Sequence, residues 1–155
     1  MDKLTTGDKL VLGGGIVYLI AMFLEWFKYE ELGISVTASG WDYFLGGWIP
    51  LVLIAVMVAH IGVTTFTDTD VPQLPLPWNQ VHRGVGVAAA VIVLLRLIVP
   101  SDECAGGFCV DLDRKFGIFV AVIAAICVAA GGSMKLKEDD AAPPATGGDT
   151  GSAPF

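Results

Sequence analysis

Three sets of side chains in this sequence have the types and spacing to do chemistry. Cys104 and Cys109 enclose two glycines in the run Cys104-Ala105-Gly106-Gly107-Phe108-Cys109. Such a run allows a tight reversal, so the thiols can meet in ordinary disulfide geometry. Redox cycling would ask for more, an activated thiolate with a partner pair to exchange with. Cys127 stands alone in an apolar run and reads as a small packing residue. A structural disulfide between Cys104 and Cys109 is the expectation, with a catalytic pair as the alternative.

His60 and His82 form the second set. Facing histidines could be axial haem ligands, while a tetrahedral zinc site needs more ligands than two. No further Cys, His or carboxylate stands at ligand spacing in the apolar runs. The expectation is no metal or cofactor, with His60 hydrogen-bonded inside the protein and His82 at the headgroups. The third set is Glu25 and Arg96, ionisable groups near the ends of apolar runs. Charges in such places are costly and point to function or to pairing. Similar depth suggests an intramembrane ion pair between Glu25 and Arg96, each lowering the other's burial cost. The alternative is that both snorkel to the interface. There is no nucleophile elbow, P-loop, HExxH or dinucleotide-binding glycine motif, so no catalytic residue is expected.

These residues must be positioned by apolar segments. The chain has 155 residues, 54% hydrophobic and 16% charged, with a mean hydropathy of +0.68. An ordinary soluble domain carries about 25% charged residues. Four apolar blocks run over about 10–27, 45–66, 81–99 and 116–134. Each approaches the ~20 residues that a helix needs to cross a bilayer. None alternates at period two, which argues against a β-barrel. The first block lacks a small-residue cleavage site and ends in Glu25-Trp26-Phe27-Lys28, so it is expected to be a retained helix. The nine Lys and Arg are outnumbered by sixteen Asp and Glu and form no basic cluster, which argues against nucleic acid. The expected fold is an all-α membrane protein. It comprises a four-helix transmembrane bundle over 1–137 with short outer loops, then a disordered acidic Ala/Pro/Gly tail over 138–155.

Punctuation supports this division. Thr5-Thr6-Gly7-Asp8 supplies caps for the first helix, and Pro50 suits the first turn of the second. Pro100 stops the third, and Gly131-Gly132 followed by Lys135 and Lys137 is expected to close the fourth. Trp26, Trp41, Trp48 and Trp78 sit near block edges, as in an interfacial belt. Ile34-Ser35-Val36-Thr37 alternates and could pair as a strand, within a first loop that serves as connector or partner platform. Cytoplasmic termini would share their side with Lys3, Lys9, Arg83, Lys135 and Lys137, against Lys28, Arg114 and Lys115 opposite. That bias favours a multi-pass cell-membrane protein with both termini cytoplasmic. The same orientation puts Cys104 and Cys109 outside the cytoplasm, where disulfides persist. Gly117, Ala121, Ala125 and Ala129 recur every four residues and form an expected helix-packing stripe, directed at Gly13-Gly14-Gly15 of the first helix or at another chain.

Four spans, the Ser39-Gly40-Trp41-Asp42 loop, the proline-rich second loop and the acidic tail together resemble small four-helix integral membrane proteins of high-GC, actinobacterial-type bacteria. The resemblance is one of general style and implies no activity. In outline the layout also resembles four-helix membrane thiol oxidoreductases coupled to quinone. Those carry a C-x-x-C motif beside a second cysteine pair, whereas here the spacing is C-x₄-C and Cys127 has no mate. The expected function is therefore that of a non-enzymatic accessory, scaffold or assembly subunit of a membrane complex. Its partners would be the lipid bilayer and a second copy or complex subunit. The alternatives are a small oligomeric transporter or channel using Glu25, Arg96 and His60, and a membrane thiol/quinone or haem redox protein.

Overall fold

A computed structural model describes residues 4–67, 75–99, 103–105, 108–110 and 112–141, with the backbone alone described at 31, 103–105, 108–110 and 139–140. Among the described residues, four helices are long and apolar enough to cross a membrane. They are α1 (Thr6–Phe23), α2 (Ile49–Phe66), α3 (Trp78–Ile98) and α4 (Phe116–Ala141). Between α1 and α2 lie β1 (Glu25–Glu31) and β2 (Ile34–Ser39), then a 3₁₀ turn over Gly40–Asp42 and a π turn over Phe44–Trp48. Between α3 and α4 lie β3 (Glu103–Ala105), β4 (Phe108–Val110) and β5 (Asp113–Arg114). The four-helix bundle is as expected. The loops at one end are not merely short connectors, because they assemble a sheet of order β2-β1-β5 and a separate β3-β4 hairpin.

α1 starts on a capping box. Thr5 Oγ1 accepts from Asp8 N at 3.2 Å, and Asp8 Oδ2 accepts from Thr5 N at 3.2 Å. The helix ends at Phe23 rather than at Phe27 as expected, because Leu24 turns extended (φ −81°, ψ 156°) and the chain enters β1. Two donors satisfy one of the carbonyls of the last turn: Ala21 O accepts from Leu24 N at 3.1 Å and from Trp26 Nε1 at 2.7 Å. Ile34–Ser39 supplies the strand ladder, antiparallel to β1 from Glu31↔Ile34 to Glu25↔Ser39, with a bulge between Glu25 and Phe27. The strand reading of Ile34-Ser35-Val36-Thr37 is thus realised. Trp26 is fully buried beneath this cap rather than set in an interfacial belt.

The other boundaries shift for similar reasons. α3 begins at Trp78, three residues before the expected start. α4 runs through Gly131-Gly132 to Ala141, so the expected stop at 134 and the tail from 138 are both overtaken by helix. These glycines are contact points, not caps. A Cβ on Gly131 would lie 2.7 Å from Gly7 O, and one on Gly132 would lie 2.8 Å from His82 O. The rest of the tail, 142–155, lies outside the described residues.

Glycine and alanine set how closely the helices approach. Gly14 of α1 faces Ala124 and Val128 of α4, and Gly86 of α3 faces Val128 and Ala129. The core then fills with Val11, Tyr18, Met22, Ile54, Met57, Ile61, Ala89, Val93 and Ala125, all at most 2% exposed.

Candidate functional site

Chain topology brings the first turn of α1, the last turns of α2 and α4 and the first turns of α3 to one end of the bundle. Asp8 and Lys135 form an ion pair there, with Nζ–Oδ1 at 2.8 Å and side chains 7% and 18% exposed. His82 and His60 meet beside it, Nε2 to Nδ1 at 2.9 Å. One ring must donate and the other accept in that contact. Trp78 stacks on His60 with ring centroids 4.0 Å apart. His82 is only 1% exposed, so its expected place at the headgroups is corrected: His60 turns it inward as a hydrogen-bond partner. His60 Nε2 and His82 Nδ1 are buried without a hydrogen-bond partner among the described residues. No group of three His, Cys, Asp or Glu side chains among those residues could hold a metal.

The opposite end carries the sheet and an aromatic cluster. Tyr18 reaches up from α1 and donates its hydroxyl to Gly46 O at 3.0 Å. Trp26 stacks with Tyr43, and Phe27 meets Tyr43 edge-on at 5.3 Å between centroids. Trp41 packs edge-on against Phe23 and Trp48, each at 5.2 Å. The Arg96 guanidinium sits over the Tyr43 ring at 4.1 Å and near the Phe27 ring at 5.2 Å. Its stem occupies the space a side chain at Gly46 would need, 2.9 Å from the Arg96 Cγ.

Glu25 and Arg96 are not brought together as an ion pair. The ion pairs among the described residues are Lys28–Glu30 and Lys135–Asp8. Glu25 has left the helix for β1, where its backbone lies against Gly117 and its side chain is exposed. Arg96 finds aromatic faces instead of a carboxylate, a cation–π arrangement. Of the four stripe residues, Ala121 and Ala125 are fully buried, Gly117 packs on Leu24 and Glu25 beyond α1, and Ala129 packs on Gly86 of α3. On α1 only Gly14 of the three glycines faces α4, since Gly15 faces Ile54 and Val58 of α2 and Gly13 meets nothing within 4 Å. Cys104 and Cys109 are direct register partners in the β3-β4 hairpin, and their side chains lie outside the described set. Cys127 is free and half-buried in α4.

Sequence reasoning passed over three features. Asp8 and Lys135 were each legible as helix-end charges, and an even number of spans puts both on one side. Trp78 stands four residues before His82 on one helix, near enough in sequence to share its end of the bundle. Leu32 gave no sequence signal beyond the glycine after it, yet it is 99% exposed at φ +52° in the β1-β2 turn.

Comparison with protein-family models, with curated proteins and with solved structures finds no match for the chain.

Proposed function

We propose that this four-span integral membrane protein is a non-enzymatic scaffold or assembly subunit that engages a membrane-complex partner through its sheet. The edge strand β2 is the observation that carries this reading. Its sequence, Ile-Ser-Val-Thr-Ala-Ser, has no charge and no proline, and Ile34 and Val36 are 65% and 55% exposed. Strands left at a sheet edge are normally blunted by lysine, proline or a bulge. The one bulge here lies at the Glu25 end of the hairpin, away from the Leu32 tip. Leu32 extends the same apolar edge. A bulky residue at positive φ costs about 1–2 kcal/mol, and retained strain at an exposed position suggests use. Strand addition at such an edge gives affinity through the backbone and specificity through alternate side chains.

The interior supports a scaffold over the transporter alternative. From the histidine pair to Tyr18 the buried side chains include Val11, Ile54, Met57, Ile61, Ala89, Val93 and Val128, an apolar layer with no polar path among the described residues. The chain is read as a cell-membrane protein with cytoplasmic termini, so the sheet would face outward and a Cys104–Cys109 disulfide would hold the second hairpin.

Photocrosslinking in the native membrane tests the docking edge. A photoreactive residue at Val36 should give one discrete protein adduct. A lipid-facing control at Val52, 54% exposed on α2, should give lipid adducts only. Because Val36 itself carries the probe, the disrupting charge goes to its neighbour on the same strand face, and Ile34→Lys should abolish the adduct. Lipid adducts alone from Val36, or a protein adduct insensitive to Ile34→Lys, would overturn the docking edge.

A further inference from the structure

We propose that Arg96 anchors a specific phospholipid with a zwitterionic, ethanolamine-type headgroup in the leaflet at the sheet end. A groove of about 630 Å³ opens there between the first loop and the end of α3. Tyr43, Phe44 and Leu45 line one wall, and Ile92, Leu95 and Val99 line the other, with Arg96 between them. Phe44, Leu45, Leu95 and Val99 are 72%, 70%, 53% and 60% exposed, as surfaces meant for acyl chains would be. The groove therefore lies against hydrocarbon, and lipid is the neighbour that fills it.

Arg96 supplies the recognition. Among the described residues it is the only cation lining the groove, and its Nε is buried there without a hydrogen-bond partner. Neither ion pair found among those residues includes it. The rings of Tyr43 and Phe27 hold the guanidinium plane in place, but a ring face accepts no fork of hydrogen bonds. An unneutralised arginine at the end of a span calls for an anion, and a phosphodiester matches its planar donors. The depth is right: Arg96 lies in the last turn of α3, where phosphates of the adjoining leaflet sit.

Asp42 also lines the groove and settles the headgroup class. It is exposed, and its Oδ2 accepts from Ser39 N at 2.7 Å and Ser39 Oγ at 3.0 Å. A net-anionic headgroup would set a like charge near this carboxylate. A zwitterion places its phosphate on Arg96 and its ammonium toward Asp42, so both charges are answered.

Native mass spectrometry of the detergent-purified protein with phosphatidylethanolamine, phosphatidylglycerol and diacylglycerol of identical acyl chains tests this. Phosphatidylethanolamine should be retained about tenfold over diacylglycerol, the scale of a charge-assisted hydrogen bond. Arg96→Met should reduce it to the diacylglycerol level, and Asp42→Asn should erase its preference over phosphatidylglycerol. Because Arg96→Met could disturb the aromatic cluster, Leu95→Trp fills the groove from its exposed side and should also displace the lipid while circular dichroism stays unchanged. Equal retention of diacylglycerol, preference of the wild type for phosphatidylglycerol, or undiminished binding to both Arg96→Met and Leu95→Trp would overturn the site. Inorganic phosphate at millimolar concentration should leave the adduct intact. Its displacement by phosphate would assign the site to free anion instead.

Discussion

Asp8 and Lys135 clasp the first turn of α1 to a late turn of α4 through a 2.8 Å contact, with both side chains largely withdrawn from solvent. The Asp8 carboxylate also completes the α1 cap through Thr5 N. Removing one partner strands the other in a poorly solvated place, which costs about 3–5 kcal/mol for a buried pair. Asp8→Asn and Lys135→Met should therefore each lower thermal stability in detergent. The double variant should lose clearly less than the sum of the two. Additive losses would mean that the contact contributes nothing as a pair.

How much was legible in the sequence depends on which dimension is asked about. Span count follows from apolar length alone, and the Ile34–Thr37 strand follows from alternation. Depth along a helix was legible too, since Glu25 and Arg96 do lie toward the same end. Azimuth was not. Arg96 turns to Tyr43 and Phe27, contributed by the first loop, which no periodicity within α3 could announce. The small-residue stripe shows the same limit. Steps of four residues drift by about 40° each around a helix. Over three steps the line passes from Gly117 on the α1 side to Ala129 on the α3 side. Gly131-Gly132 misled for a different reason: glycine serves both as a helix stop and as a close contact, and only the neighbours Gly7 and His82 decide between them.

Two adjacent glycines of α1 should respond in opposite ways to alanine. A Cβ at Gly14 would lie 2.8 Å from Val128 Cγ2 and 3.0 Å from Ala124 O, whereas a Cβ at Gly13 would meet nothing within 4 Å. Gly14→Ala must push α1 away from α4 and should cost about 1–3 kcal/mol. Gly13→Ala should be neutral or stabilising by up to about 1 kcal/mol, since alanine restricts the unfolded chain and favours helix. Melting curves of the two variants in one detergent make the comparison, and a reversed order would show that α1 and α4 do not pack as described.

The β3-β4 register sets Cys104 opposite Cys109. Directly opposed residues in an antiparallel pair have Cβ atoms about 4.5–5.5 Å apart, which a small adjustment brings to disulfide range. Protein purified without reductant should be lighter by two hydrogens than the reduced form, and the peptide bearing both cysteines should resist alkylation. The enclosed loop is short, so the bond should add only about 2 kcal/mol. Two freely alkylated thiols in protein never exposed to reductant would count against it.

Orientation can be read with single cysteines on a background lacking the native three. A probe at Ser39 on β2 should be reached by an impermeant maleimide added outside cells, and one at exposed Lys137 should be reached only after lysis. The cation bias requires this pattern. The opposite labelling would place the sheet in the cytoplasm, and with it remove the oxidising environment that the cysteine pair needs.

Leu32 and Gly33 form the two-residue turn of the β1-β2 hairpin, with φ of +52° and +81°. Positive φ at both positions is the turn type that favours Asn-Gly, because asparagine tolerates the left-handed region and a γ-branched apolar side chain does not. Leu32 is also 99% exposed, so its side chain contributes no packing to offset that strain. Leu32→Asn should accordingly stabilise the hairpin by about 1 kcal/mol, seen as slower amide exchange along β1 and β2. If the apolar tip serves a partner, the same substitution should weaken the Val36 photoadduct in membranes even as the hairpin becomes more stable. Leu32→Gly separates the two effects, since it relieves the backbone strain and removes the side chain without adding a polar group. Adduct loss in both variants would tie docking to the leucine side chain. A more stable hairpin with an undiminished adduct in both would leave the β2 ladder alone as the contact and take Leu32 out of the docking edge.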